Sequence, residues 1–546
     1  MQYQLEITGS AATIGYLACS PAEKVSFEQA LQYLDKCPMD DFMHRHLLRQ
    51  MLGKSANEIK LLAAVFADSK VMSSLLAETV IQRPELTEFM PEKLPCRASS
   101  LVNLRQEKFT DMALHRAWSK IFSDNLLEHR PLPELEQAPP LPYSKQEIEQ
   151  AGQGFIPVSK SAAADFSENT VQEPPLQEVI QRAETALEAA GVNLDRQMLH
   201  QSSLSPVGLV RGWQAEIAVQ NGHLDYRLKG NQNSFGRGLD FDTAQTGLLM
   251  EICERFSSLA SFETEGALGY AKPLPLIRSS YSRLEEDALD PACLPLEVPV
   301  DRNEILHWLP GSCPDGSRML VPAQFVFLFA NLDEPCLCSG LGSTGLGAGL
   351  DMNRARLTAL LEVIERDAES TFPHHPARCF CIRSDDEAIA ALLNEYAKRG
   401  IEVFFEDISS ELGLPCYRSF VVGPEGQVTK GASADMNGAK ACLSAMLEVP
   451  YPYPWGPPSR PAPKGLPVRT LEDLPDYSTA SMAGDLAILE QALTASGKTP
   501  VYVNLTRADM NIPVCRAIIP DLELMADFDQ NSRLSPRLFR NLLLKQ

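Results

Sequence analysis

Apolar residues recur at helical spacing through much of residues 26–123. Ser26 with Gln29, and Ser55 with Glu58, make capping-box patterns. The second opens a helical run through Ile81, just short of Pro84. Ahead of these, residues 1–20 read as one or two short strands. Residues 131–175 break the pattern. PLPELEQAPPLP is proline-rich and SKSAAADFSENTVQEPP is small and polar, as in a linker. Helical periodicity resumes in LQEVIQRAETALEAAGV, ending at Gly191, and again over 386–398, ending at Gly400. LVRGWQAEIAV and LDYRLKG read as strands around a turn at Asn221-Gly222. Further strands are expected in AQFVFLFANL, IEVFFEDIS, PCYRSFVVG, PVYVNLTR and IPVCRAIIP. The predicted class is α+β. A mostly helical N-terminal domain over 1–130 and a linker over 131–175 precede a larger domain over 176–546, built on repeated β/α units.

The repeat is explicit. GRGLDFDTAQTGLLMEICER (236–255) and GAGLDMNRARLTALLEVIER (347–366) agree at nine of twenty positions. Each has a Gly-x-Gly turn, a cap-like Asp242 or Asn353, an apolar run, and then Glu-x-x-Glu-Arg. AKACLSAMLEVPY (439–451) is an eroded third copy. Its Glu448 follows Ala441 by seven residues, as Glu251 follows Ala244, and Tyr451 stands where the next acid would be.

Charge narrows the partners. The net charge of −22 and the lack of clustered Lys and Arg argue against nucleic acid and against a membrane surface. No run of eighteen apolar residues occurs, and MQYQLEITGS lacks the basic and apolar regions of a signal peptide. Thirteen scattered cysteines without C-x-x-C fit reduced thiols and a cytoplasmic location. Cys336/Cys338 and Cys379/Cys381 are C-x-C pairs. They read as small apolar strand residues, with a zinc site the less favoured option. His44, His46, His115 and His129 read as solvated or structural.

Glu251, Glu254 and Arg255 share one helix face, as do Glu362, Glu365 and Arg366. Taken singly, each set fits a solvated face with an internal ion pair. Two copies in register favour a site. Four converging carboxylates need cations, and Mg2+ held by carboxylates and substrate phosphates is the natural answer, with the arginines meeting phosphate oxygens. Di-iron helices would need Glu-x-x-His, which neither copy has. The chain has no G-x-x-x-x-G-K-[ST] and no G-x-S-x-G. GLGSTG (340–345) reads as a flexible loop near the second acidic helix rather than a dinucleotide fingerprint, and Cys253 as a core residue.

At these residues the chain resembles the YcaO family over about 175–530. The likeness rests on FGRGLDFDTAQTGLLMEICERFSS, STGLGAGLDMNRARLTALLEVIERDA and PVYVNLTRADMNIPVCRAIIPDLE. The resemblance implies a YcaO-type fold that binds ATP and Mg2+ and phosphorylates a peptide or protein backbone amide, as in azoline or thioamide formation. Other members are accessory factors for ribosomal-protein methylthiolation. It assigns Glu251, Glu254, Glu362 and Glu365 to metal and Arg255, Arg366 and Arg237 to the nucleotide. It also implies a peptide or protein substrate and a partner protein for recognition or sulfur supply, and it leaves a homodimer open. The chain departs from the family pattern at Gly247, where Ser is usual, and at Leu350, Arg354 and Tyr451. These departures keep a second reading open, a scaffold or peptide-docking member without nucleotide. A third, more distant reading is an unrelated carboxylate-rich hydrolase.

Overall fold

A computed structural model describes residues 1–8, 16–91, 99–161, 174–339, 342–479, 481–524, 528–529 and 531–544. The expected mixture of helix and sheet is present, with the strands in three sheets. Each sheet delivers one strand into one of the repeated helices.

In the first sheet the long hairpin Val207–Asn221 and Leu224–Gly238 is central. Its alternation is that of a sheet with one buried face. Ala215, Ile217 and Val219 are buried, while Glu216, Ala218 and Gln220 are exposed. Asn221 pairs with Leu224, so the turn residues are Gly222 and His223, one later than expected. Gly222 takes φ +57, and Asn221 stays in the ladder with its side-chain oxygen accepting from the Asp333 N–H at 2.8 Å.

The second sheet runs Arg318–Pro322, Ile305–Ser312, Val501–Asn504, Val514–Ile518, Leu346–Ala348, with Ile277–Ser280 beside Ile305–Ser312. The third runs Val428–Ala434, Cys416–Val422, Phe404–Asp407, Cys379–Arg383, Val468–Thr470. AQFVFLFANL is not a strand. It opens with a single 3-10 turn, Ala323–Phe325, and continues as an irregular buried segment. Its apolar side chains plug the core, with Phe327 packed edge-on against Phe262. A short apolar run carries no period that separates strand from buried turn.

In the N-terminal region the Ser26 and Ser55 capping boxes form as expected, on helices Phe27–Leu34 and Ala56–Val65. The run beyond Ser55 is two helices rather than one. Ser69 caps the second, Lys70–Gln82, by accepting from the Met72 N–H at 3.1 Å. Strand Gln2–Thr8 joins the first sheet, parallel to Leu224–Gly238. Tyr3, Phe42 and Tyr226 meet edge to face, and Tyr3 donates to Asp40 at 2.8 Å. One buried apolar cluster thus runs from these helices into the sheets. The described part of the proline-rich segment is packed too. Ile148 lies in a cluster with Trp118, Phe122 and the C-terminal helix residues Leu538, Phe539 and Leu542. Residues 162–173 of that segment lie outside the described residues.

His44 and His115 are fully buried, and His129 caps the helix Met112–Glu128 and stacks on His374 at 3.9 Å. Cys379 and Cys381 lie on a strand as expected, whereas Cys336 and Cys338 lie in a loop. Among the described residues no helix is long and apolar enough to cross a membrane.

Candidate functional site

Three helices carry the acids: Phe241–Ser257, Met352–Thr371 and Gly438–Glu448. Each starts after a strand of a different sheet and is capped by a short polar side chain. Asp240 accepts from Thr243 N–H at 2.8 Å, Asp351 from Arg354 N–H at 3.0 Å, and Asn437 from Lys440 N–H at 3.0 Å. Asp242 and Asn353, expected as the caps, instead lie inside the first turn. Both motifs offer two candidates two residues apart, and the earlier one has the extended backbone that a cap needs. From each cap the first acid is eleven residues on: Glu251, Glu362 and Glu448. Eleven residues are about three helical turns, so cap and acid share a face. Gly236 and Gly347 bring strand and helix together, since a Cβ on either would run into the carbonyl oxygen of Ala244 or Ala355.

The entering chain also holds the first acids. Phe235 N–H donates to Glu251 Oε2 at 2.9 Å, and Gly345 N–H donates to Glu362 Oε2 at 3.1 Å. Glu254 and Glu362 feel each other's charge across the two helices, and each also feels the other acid of its own helix, Glu251 and Glu365. Burial, against the pull of Arg255 and aided by Glu362 and Glu251, pushes Glu254 up to about 8. Burial likewise raises Glu362, and raises Glu365 well above the usual carboxylate range. Such a cluster takes up protons or metal cations.

The arginines are held differently. Arg255 Nε is 3.6 Å from Glu251 and its Nη1 is 3.3 Å from Glu254, and among the described residues Nη1 makes no hydrogen bond. Arg366 Nη2 is 3.4 Å from Glu365, while its Nη1 makes a 2.6 Å bond to Glu369. Arg237, on the strand entering the first helix, faces Glu448 across the site. Gly247 lies one turn before Glu251 and opens onto free space. Arg354 sits in the first turn of the second helix with Nη1 3.6 Å from Met482 Sδ. The third helix ends at Glu448, ahead of Pro450. Tyr451 therefore leaves the helical face, is buried, and donates to Pro457 O at 2.9 Å.

Three charged residues escaped the sequence reading. Glu369 continues the face of Glu362, Glu365 and Arg366 by one more turn, a spacing that was open to view. Lys430 reaches Glu369 Oε1 at 2.6 Å from the strand before the third helix. Arg516 is 1% exposed, donates to Phe325 O at 3.2 Å and to Gly342 O at 2.9 Å, and among the described residues its Nη1 makes no hydrogen bond. Burial lowers it to about 10 against the pull of Glu362 and Glu254. An arginine inside the apolar strand VCRAI was the signal for it.

Among the described residues no three acid, His or Cys side chains converge tightly enough to ligate one ion by themselves. The unpartnered guanidinium nitrogens of Arg255 and Arg516 suit phosphate.

Comparison with known proteins bears on the family and the fold. An uncharacterised protein of Methanothermobacter thermautotrophicus (strain Delta H) is 27% identical over 331 residues, 53% of this chain and 82% of that protein. A heterocyclase solved in complex with substrate and cofactor shares the fold. It has a TM-score of 0.51 at 15% identity, with 72% of this chain and 57% of that chain covered. A YcaO protein from Methanopyrus kandleri bound with AMPPCP and Mg2+ aligns at a TM-score of 0.46 and 19% identity, covering 64% of this chain and 91% of that one. The family profile described as YcaO cyclodehydratase, ATP- and Mg2+-binding, matches residues 235–450 and 452–523, more than half of the chain and all three acid helices. The chain belongs to the YcaO family.

Proposed function

We propose that this chain binds ATP with Mg2+ between the acid helices and uses it to activate a backbone amide of a peptide or protein. Bound ATP would supply a phosphoryl group that makes the amide oxygen a leaving group. A side-chain or external nucleophile would then add at the amide carbon, and phosphate would depart. The observation that carries the reading is that Glu254 and Glu362 feel each other's charge across the two repeats, each with a second acid on its own helix, and that burial pushes Glu254, Glu362 and Glu365 toward their neutral form. In this reading the four acids hold metal, Phe235 and Gly345 N–H groups fix the first acid of each pair, and Arg255 and Arg516 turn their unpartnered N–H groups to phosphate. Arg237 would meet the nucleotide from the first repeat, near Glu448 of the third.

The test is Mg2+-dependent binding of AMPPCP by calorimetry, followed by phosphate release from ATP with and without peptide, in wild type and Glu254→Ala. Metal-dependent binding that is lost in the variant is expected. Equal behaviour of the two proteins would sink the assignment. A nucleotide-free scaffold is the second reading. It is favoured by Gly247, which presents no side chain to the site, and by Tyr451, which turns into the core.

A further inference from the structure

The two repeats are alike in sequence yet their arginines are not in equivalent settings. On the second helix Glu369 lies one turn past Glu365. The equivalent place on the first helix is Ser258, the C-cap, whose hydroxyl donates to Arg255 O at 2.8 Å. Arg255 therefore has two longer carboxylate contacts, to Glu251 at 3.6 Å and to Glu254 at 3.3 Å, and among the described residues its Nη1 makes no hydrogen bond. Arg366 is gripped by Glu369 at 2.6 Å, and the second oxygen of Glu369 is gripped by Lys430 at 2.6 Å. Glu369 is 2% exposed, and the backbone carbonyls of Glu369 and Phe372 are tied to Arg418 at 3.3 and 3.2 Å. Charge-assisted bonds of this length to a buried carboxylate are the strong ones, so Glu369 has little freedom to move, although both cations keep some contact with solvent.

We propose that Glu369, braced by Lys430, is a positioning residue that draws one arm of the Arg366 guanidinium to itself, limiting Arg366 to a single 3.4 Å contact with Glu365 and so keeping Glu365 available to a cation. The inference rests on the metal-and-nucleotide reading of the site. Its physical content is a competition. A released Arg366 closes from 3.4 Å onto Glu365 and occupies the oxygens that a divalent ion needs. Lys430 links this arrangement to the strand that enters the third helix, so the second and third repeats are set together.

The test uses Mn2+ alone as the probe, with the full chain, by calorimetry or electron paramagnetic resonance. Glu369→Gln keeps the shape and removes the charge. It is expected to weaken Mn2+ binding by about 10-fold or more, the usual size for an outer-shell partner. The double variant Glu369→Gln/Arg366→Met removes the competitor and should recover most of that loss. A merely structural role predicts no recovery, because the second substitution only removes more contacts. Thermal melting of each variant verifies that the chain is folded. Unchanged Mn2+ affinity in Glu369→Gln, or a loss that Arg366→Met does not relieve, overturns the inference. If wild type binds Mn2+ but not AMPPCP, the nucleotide reading fails while the Glu369 comparison still decides this one. If wild type binds neither, both fall.

Discussion

Arg537 closes a two-pronged ion pair on Asp367, Nη1 to Oδ1 at 2.7 Å and Nη2 to Oδ2 at 2.6 Å, with both side chains almost wholly buried. Asp367 directly follows Arg366 in the second acid helix, so the C-terminal helix Pro536–Leu543 grips the helix that carries half of the site. Arg537→Ala leaves Asp367 with one backbone donor, Glu523 N–H at 2.9 Å. Stability should fall by about 3–5 kcal/mol, as for other buried pairs deprived of one partner. A urea unfolding series measures this, and the double variant Arg537→Met/Asp367→Asn should lose clearly less than Arg537→Ala does.

Proton and metal should compete at Glu254. Its folded value of about 8 lies above the ordinary 4.5, so folding takes up a proton between those two values. The group's contribution to stability is full below about 4.5 and is lost as pH rises through about 8. Metal binding runs the other way, because the ligand must be ionised. Mg2+ or Mn2+ affinity should climb from pH 6 to about 8 and level off above. Calorimetry in buffers of different ionisation heat should show proton release at pH 7, and none from this group in Glu254→Gln.

Glu406 gives the opposite pH sign. His374 Nδ1 at 3.1 Å, Arg378 at 2.7 Å and Arg418 at 3.1 Å surround it. Burial alone would raise its carboxyl, but His374, Arg418 and Arg378 overcome that and hold it at about 2. Its stabilisation is present above the ordinary 4.5 and lost as pH falls through about 2. Glu406→Gln should flatten the acid limb of a stability-against-pH curve. It should also cost about 3 kcal/mol or more at neutral pH, since two buried guanidiniums lose their counter-charge.

Gly247→Ser is a gain-of-contact test. A Cβ there meets nothing within 4 Å, so the change is sterically free. Replacing a mid-helix glycine should add about 0.5 kcal/mol to stability. A hydroxyl one turn before Glu251 should also tighten AMPPCP by about 5-fold, the worth of one ordinary hydrogen bond. Tighter binding measured by calorimetry places nucleotide against this helix face, and unchanged binding removes it from there.

The features legible in the chain were local ones. The Ser26 and Ser55 boxes, the hairpin around Gly222 and the repeated Glu-x-x-Glu-Arg are written within a few residues, and each formed. Errors of one or two residues, at Asp240 and at the Asn221 turn, arose where neighbouring side chains were equally suited and backbone geometry decided. Ser69 was hidden because apolar periodicity continues across it. Lys430 and Arg516 were hidden for a different reason. They reach the site from strands 61 and 154 residues beyond Glu369 and Glu362, through sheet pairings that no local pattern encodes.

Strand Val514–Ile518 pairs with Leu346–Ala348, the short strand that launches the second acid helix. That pairing spans well over a hundred residues and makes the site a late product of synthesis. The first two acid helices can emerge and begin to pack, but their buried carboxylates meet Arg516 only after more than 500 residues have been made. Until then the cluster is under-neutralised and its sheet has an open edge, the kind of exposed strand that pairs with the wrong chain. The nascent protein should therefore be most prone to aggregate between completion of the second acid helix and arrival of the final strand.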